Sequence, residues 1–355
     1  MNTMYSSAIL SLLFVLITYY LRSVVAFSST SPTTDAVTII RTYKIFGNDI
    51  DDNKNNIIYS VRPEPSDPNV EEDEIEMYYP TTKRAFMFPN THNTNTNEKI
   101  NNNMIVNIRE TSFGCGKLGS TVWPSAIVLS CLLANESIDL KDKKIIELGA
   151  GCGLPSTFLA NTNGVIQSIL ATDYWEEEVT ADSTQTSSST DSLYRNSALG
   201  QTTNNGDRLM AKSLFGRNLA YNIGSDENEQ TSVKRLDWHD EMGIFKVATD
   251  YKPDVIIGSD LVYYPMDTLP LLQTIEMLCK AGGAKEALLI FPLNDGREAL
   301  PDFRERLESG ELGDDFEVII DEITMTDKWN DTDDDDDDEG DRYTFLRVRI
   351  HHNAI

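Results

Sequence analysis

Between Lys144 and Phe291, short apolar runs of strand length alternate with longer helical patterns, and this alternation limits the possible folds more than any other feature. Lys144–Leu148 (KIIEL), Ser168–Thr172 (SILAT), Val233–Trp238, Asp254–Gly258 (DVIIG) and Ala287–Phe291 read as strands. Helical spacing is read over Leu154–Asn161, Asp207–Asn222, Leu269–Lys280 and Leu300–Leu307, the third stopped by Gly282-Gly283. Strands separated by helices pair in parallel, because the chain must cross over before it can re-enter the sheet. Phe316–Ile323 and Tyr343–Ile350 read as a closing antiparallel pair. The expectation is an α/β fold: a doubly wound, mostly parallel, seven-stranded Rossmann-like sheet with helices on both faces and an antiparallel last strand.

Ahead of this pattern, Met104–Glu110 (MIVNIRE) alternates like a strand, with Met104, Val106 and Ile108 on one side. A glycine-rich turn (Gly114, Gly116, Gly119) follows, and Trp123-Pro124 opens the apolar helix SAIVLSCLLA with proline in its favoured first turn. The main domain is therefore expected over 104–355. Residues 27–103 read as a variable lead-in, partly disordered, with a candidate strand over Thr38–Phe46. Two acidic inserts are expected, at 176–205 and 329–341. The second holds DTDDDDDDEG and must stay solvated, because adjacent like charges cannot be buried unpaired.

Residues 1–26 read as a targeting segment. Ile9–Tyr20 is almost wholly apolar, Arg22 closes it, and Val24 and Ala26 stand where small residues precede a signal-peptidase cut. It is expected to act as a signal peptide into the secretory route, or as a membrane anchor if it is not cleaved. The Ala26-Phe27 junction and the SSTSPTTDA stretch after it resemble the two-part leaders of algae with complex plastids, which makes the plastid an alternative destination.

The 355 residues include 57 acidic and 30 basic side chains, for a net charge of −27. That balance argues against nucleic-acid binding, which draws its affinity from Lys and Arg, and leaves room for a basic protein partner. The four cysteines form no C-x-x-C pair and the four histidines lack zinc spacing, so neither a metal site nor a disulfide framework is expected. The chain is expected to be a monomer.

The chemistry gathers at the expected C-terminal ends of the strands. Glu147-Leu-Gly149-Ala150-Gly151-Cys-Gly153 joins a buried strand to a helix. Its G-x-G-x-G spacing fails the dinucleotide fingerprint G-x-G-x-x-G, because the third residue after Gly151 is Leu154; this excludes a nicotinamide oxidoreductase. Glu147, beside the loop, would disfavour a pyrophosphate and suit a ligand with an amino group, so it joins the candidate cofactor residues. Asp173 ends the second strand, where a carboxylate can accept both ribose hydroxyls. Trp238 follows the third strand and can wall an adenine. The fourth strand runs into Ser259-Asp260-Leu-Val-Tyr263-Tyr-Pro, where Asp260 could hold an incoming ammonium and Tyr263 orient it. Each feature also has a plainer reading: a glycine turn, a solvated strand-end Asp, a rim Trp, a capping Asp with a packing Tyr.

In this order, W-P…ELGAGCGLPS…ATDY…LDW…IIGSDLVYYP resembles the seven-β-strand protein lysine methyltransferases, methyltransferase family 16, from about Ile105 to Ile350. The resemblance implies S-adenosylmethionine (SAM) as cofactor and a protein lysine as methyl acceptor. It implies that Trp123 and Ser259 contact SAM, and that Gly149, Ala150 and Gly151 lie under its methionine part. It places Asp173 at the ribose and Trp238 at the adenine. Asp260 and Tyr263 match the D-x-x-Y motif of the target-lysine channel. The long insert after Glu176, the acidic run and the leader depart from the family pattern. Two alternatives remain open: another acceptor (Arg, His or a small amine), or a catalytically silent SAM-fold module that binds a partner.

Overall fold

The computed structural model describes residues 39–47, 50, 57–61, 81–88, 104–111, 118–135, 137–162, 164–174, 214–223, 230–293, 297–329 and 340–353. In chain order the strands are β1 (Ile39–Phe46), β2 (Ile57–Val61), β3 (Thr81–Phe88), β4 (Met104–Thr111), β5 (Lys144–Leu148), β6 (Ser168–Asp173), β7 (Thr231–Arg235), β8 (Val255–Ser259), β9 (Glu286–Pro292), β10 (Phe316–Trp329) and β11 (Asp341–His352). The helices are α1 (Pro124–Ala134), α2 (Leu154–Ala160), α3 (Leu214–Ile223), α4 (Glu241–Tyr251), α5 (Pro265–Lys280) and α6 (Ala299–Glu308).

All strands join one sheet in the order β4-β3-β2-β1-β10-β11-β9-β8-β5-β6-β7. Strands β9, β8, β5, β6 and β7 are parallel, and β11 is antiparallel to both β9 and β10. The α/β, Rossmann-like expectation therefore holds, but among the described residues the sheet has eleven strands rather than seven. The additional four come from β1 to β4. Strand β1 pairs with the outer edge of β10, Arg41 opposite Trp329 through Phe46 opposite Thr324, and β2, β3 and β4 follow as an antiparallel meander. A 14-residue β10 would otherwise present a long unpaired edge, which folded proteins avoid. The described strands of the lead-in thus share the sheet of the domain expected to begin at Met104.

The period-two alternation of each parallel strand sorts its side chains between two cores. Ile145, Ile169, Val255, Ile257 and Leu288 pack with α1 and α2, while Ile146, Leu148, Ile256, Leu289 and Phe291 pack with α4, α5 and α6. Helix α1 is apolar all round because it is covered twice. The parallel strands cover one side of that helical layer, and Phe86, Phe88, Val106 and Ile108 of the meander enter the same core. Phe88 of β3 meets Phe158 of α2 with ring centroids 4.4 Å apart.

Two helices differ from the sequence reading. Helix α4 was not anticipated, although Asp240 caps it by accepting the Gly243 amide at 3.0 Å and Ile244, Val247 and Ala248 form its buried stripe. Helix α5 starts at Pro265, four residues before Leu269, with proline in its favoured first position, and it continues through Pro270 in its second turn. The leader 1–26, the insert 176–205 and residues 330–339 of the second insert lie outside the described residues. Among the described residues, no helix is long and apolar enough to cross a membrane.

Helix α3 closes the free edge of β4 with two asparagines. Asn218 accepts the Arg109 amide at 2.8 Å and donates to the Arg109 carbonyl at 3.1 Å and the Cys152 carbonyl at 2.9 Å. Asn222 makes the matching pair with Asn107, both at 2.7 Å. Asn218 is fully buried, so Asn218→Ala strands three backbone groups away from water. The variant should lose about 2–3 kcal/mol in urea unfolding. An unchanged midpoint would refute this role.

Candidate active site

Strand β5 has β6 on one side and β8 on the other, so the chain order reverses about it and a crevice opens beyond its C-terminal end. The loop that follows turns left-handed at Gly149, Gly151 and Gly153, with φ of 60°, 55° and 77°. At Gly153 a Cβ would fall 1.6 Å from the Phe215 ring, so only glycine fits there. At Gly151 it would come 3.1 Å from the Gly119 carbonyl of the facing loop. The Gly151 amide donates to Asp173 Oδ2 at 2.7 Å, and the Ala150 amide to the Thr172 carbonyl at 2.9 Å. The end of β6 thereby holds the loop after β5.

The segment carrying Trp123 is fixed from the meander. Glu110 of β4 accepts the Val122 amide at 2.6 Å, and Arg84 of β3 pairs with Glu110 at 3.3 Å while donating to the Tyr43 hydroxyl at 3.1 Å.

Across the cleft, β8 ends at Ser259 and the chain turns left-handed at Asp260, φ 59°. The Asp260 amide donates to the Ile290 carbonyl of β9 at 2.8 Å, which holds this unfavourable backbone in place. The Asp260 carboxylate is buried. Its Oδ2 accepts the Tyr263 hydroxyl at 3.1 Å and Arg297 Nη2 at 2.9 Å. Arg297 Nη1 lies 2.5 Å from Oδ1, an ion pair without hydrogen-bond alignment. The guanidinium also lies 4.0 Å from the Tyr263 ring centroid and 5.6 Å from that of Trp123. Burial first, then the Asp260 charge, push the Tyr263 phenol well above its ordinary range against the opposing pull of Arg297, so it keeps its proton.

These walls enclose a cleft of roughly 1110 Å³, its open mouth included. Nine of the ten sequence-predicted residues line it: Trp123, Gly149, Ala150, Gly151, Asp173, Trp238, Ser259, Asp260 and Tyr263. Trp238 stands in the turn after β7, three residues past the end of that strand, so the strand is shorter than expected. Glu147 is placed differently. It lies under the loop, 1% exposed, and accepts the Ser156 hydroxyl of α2. Its neighbours Ile146 and Leu148 point to the opposite core, so alternation sends Glu147 toward α2 and away from the cleft. Burial pushes its carboxyl up to about 8; the Ser156 bonds oppose this and the Asp173 charge adds to it. Sequence reasoning missed Arg297, which carries no motif. Its only signal was its place just beyond β9, at the same end of the sheet as Asp173 and Asp260.

Comparison with known proteins finds a family match to part of the chain, which includes the glycine loop and Asp173. Residues 100–191 match the family described as lysine methyltransferase. The family recognised from the motifs is the one the comparison finds. The chain is 28% identical over 161 residues to protein N-lysine methyltransferase METTL21A of Danio rerio, covering 45% of this chain and 56% of that one. It is 29% identical over 163 residues to EEF1A lysine methyltransferase 3 of Xenopus tropicalis, covering 46% and 53%. The chain thus spans about half the length of the curated relatives it matches.

The buried carboxyl under the glycine loop has a consequence for stability. Its folded pKa is raised from 4.5 to about 8, so the folded chain keeps a proton that the unfolded chain releases. The contribution is complete below about pH 4.5 and falls as pH rises toward about 8, by at most about 1.4 kcal/mol per unit. Glu147→Gln should flatten that decline in urea unfolding measured across this window. A slope equal to that of the wild type would contradict the assignment.

Proposed function

We propose that this chain transfers a methyl group from SAM to a lysine side chain of a protein. The observation that carries the reading is the placement of two acids at opposite ends of one cleft. Asp173 is held to the glycine loop and Asp260 sits in an aromatic wall. The strands β10-β11-β9-β8-β5-β6-β7 are read as the methyltransferase sheet, with the meander as an addition that buttresses Trp123. The relatives' names support lysine as the acceptor.

The residues fit the cofactor. Gly149 and Gly151 bring bare backbone to the cleft, where the methionine part would lie. A carboxylate offers about four acceptor sites, so Asp173, which already takes the Gly151 and Tyr174 amides, can still accept ribose hydroxyls. The Trp238 indole walls the adenine side. When bound, SAM supplies a methyl group on a positively charged sulfur. The chain's own contribution is placement: Asp260, Tyr263 and Trp123 form a narrow wall that would exclude water and hold an amine nitrogen about 3–3.5 Å from the carbon it attacks.

A basic substrate suits the charge. The cleft rim carries Asp237 and Asp267, and the net charge of −27 would draw a Lys-rich segment in a salt-dependent way. We also propose that residues 1–26 carry the chain into the secretory route, which N-terminal sequencing of the mature protein would check.

Incubation of a lysate with purified protein and methyl-labelled SAM should label lysine in a protein, as read by mass spectrometry. Asp260→Ala should lower transfer by about 100-fold or more, on the order of 3 kcal/mol in the transition state, with SAM affinity little changed. Asp173→Ala should instead weaken SAM binding by about 10-fold or more. Label confined to arginine or histidine, or a fully active Asp260→Ala enzyme, would overturn the reading.

A further inference from the structure

We propose that Arg297 is a positioning residue that makes the acceptor wall admit its target as the free amine rather than as the ammonium. The inference rests on the lysine reading above and adds how the acceptor is selected.

A lone carboxylate at the end of a channel would be a good receptor for an ammonium ion. It would be a poor partner for a nucleophile, because it stabilises the form that has no lone pair. A free lysine has a pKa near about 10.4, so its neutral form is scarce at neutral pH. Asp260 is not a lone carboxylate. Arg297 meets both of its oxygens, and the Tyr263 hydroxyl adds a bond to one of them. A guanidinium does not lose its proton in proteins. The Asp260–Arg297 pair therefore presents no net charge, while Asp260 and Tyr263 still offer oxygen atoms to an N–H donor.

The geometry separates this role from that of a plug. Arg297 does not line the cleft, whereas Asp260, Tyr263 and Trp123 do. Its guanidinium rests against the Tyr263 ring at 4.0 Å, and its side chain is 10% exposed. Among the described residues, the charged and titratable groups lining the cleft include Tyr174 and Tyr264 besides Tyr263 and the groups across the cleft. Tyr263 keeps its proton, and Arg297 follows β9. Across the cleft stand Asp173 at the end of β6, Asp237 and His239 after β7, and Asp267 on α5, which is bonded to His239 at 3.0 Å. Arg297 is paired with Asp260 through both of its terminal nitrogens, which directs its charge at that carboxylate.

The test uses n-butylamine as the probe for a lysine side chain. Its binding to the full chain, with S-adenosylhomocysteine present, is followed by saturation-transfer NMR at pH 7, 8 and 9. For the wild type, apparent affinity should rise about tenfold per pH unit, in step with the neutral fraction of the amine. Arg297→Met leaves a bare carboxylate that takes butylammonium, so its affinity should change less than about threefold over the same range. Arg297→Lys, which keeps a cation, should restore the wild-type slope. A flat wild-type profile, no saturable binding by the wild type, or a wild-type slope in Arg297→Met would overturn the proposal. If Arg297→Met does not fold, Arg297→Gln, which also removes the cation, takes its place with the same flat profile expected. Methyl transfer to lysine together with a flat wild-type profile sinks this inference only. A chain that binds no S-adenosylhomocysteine sinks the underlying reading.

Discussion

The hydrogen bond from the Gly151 amide to the Asp173 carboxylate, 2.7 Å long, ties together the two strand ends on which the cleft is built. A strand-end aspartate would otherwise be free to turn into solvent, and a left-handed glycine loop would be free to fluctuate. Each restrains the other. The loop also needs support from below, and Glu147 supplies it by bonding Ser156 on α2. A buried carboxyl in that role is stable only with its proton on, or at a cost in desolvation. One acid faces the cleft and another lies beneath it, and the alternation of strand side chains separates their roles.

The opposite wall follows a different principle. Asp260 holds a backbone conformation that side chains seldom adopt, and its buried charge is compensated by a guanidinium packed on an aromatic ring. Buried ion pairs contribute little to stability in themselves, because desolvation offsets their attraction. The arrangement is better explained by what it presents to the cleft. Glu110 and Arg84, on the meander, help to hold the segment that carries Trp123 into this wall. The added strands therefore reach the chemistry through the Glu110 bond to the Val122 amide and through Asn218, which joins Arg109 of β4 to the Cys152 carbonyl of the glycine loop.

Much of this architecture was legible in the sequence, for identifiable reasons. The parallel strands are buried on both faces, so KIIEL, SILAT and DVIIG announce themselves as apolar runs of the right length. Left-handed turns and close backbone approach explain why Gly149 and Gly151 stood out. What was missed depends on contacts that period and propensity do not encode. Strands β2 and β3 lie in a lead-in of variable composition, and they take their place by pairing with β1 and β4, contacts remote in sequence from the parallel strands. Helix α4 was overlooked although its cap and stripe were present. Glu147 was assigned to the cofactor by nearness in sequence, whereas its direction is set by strand parity. Arg297 has no motif, and only the three-dimensional fold brings it to Asp260.

The central claim is that the cleft receives an adenosyl sulfur compound between Asp173 and Asp260. A crystal structure of the chain with S-adenosylhomocysteine tests it most directly. The account predicts ribose hydroxyls within hydrogen-bond distance of Asp173, adenine against Trp238, and the sulfur turned toward the wall of Asp260 and Tyr263. A nucleoside bound elsewhere, or a ribose turned away from Asp173, would contradict it.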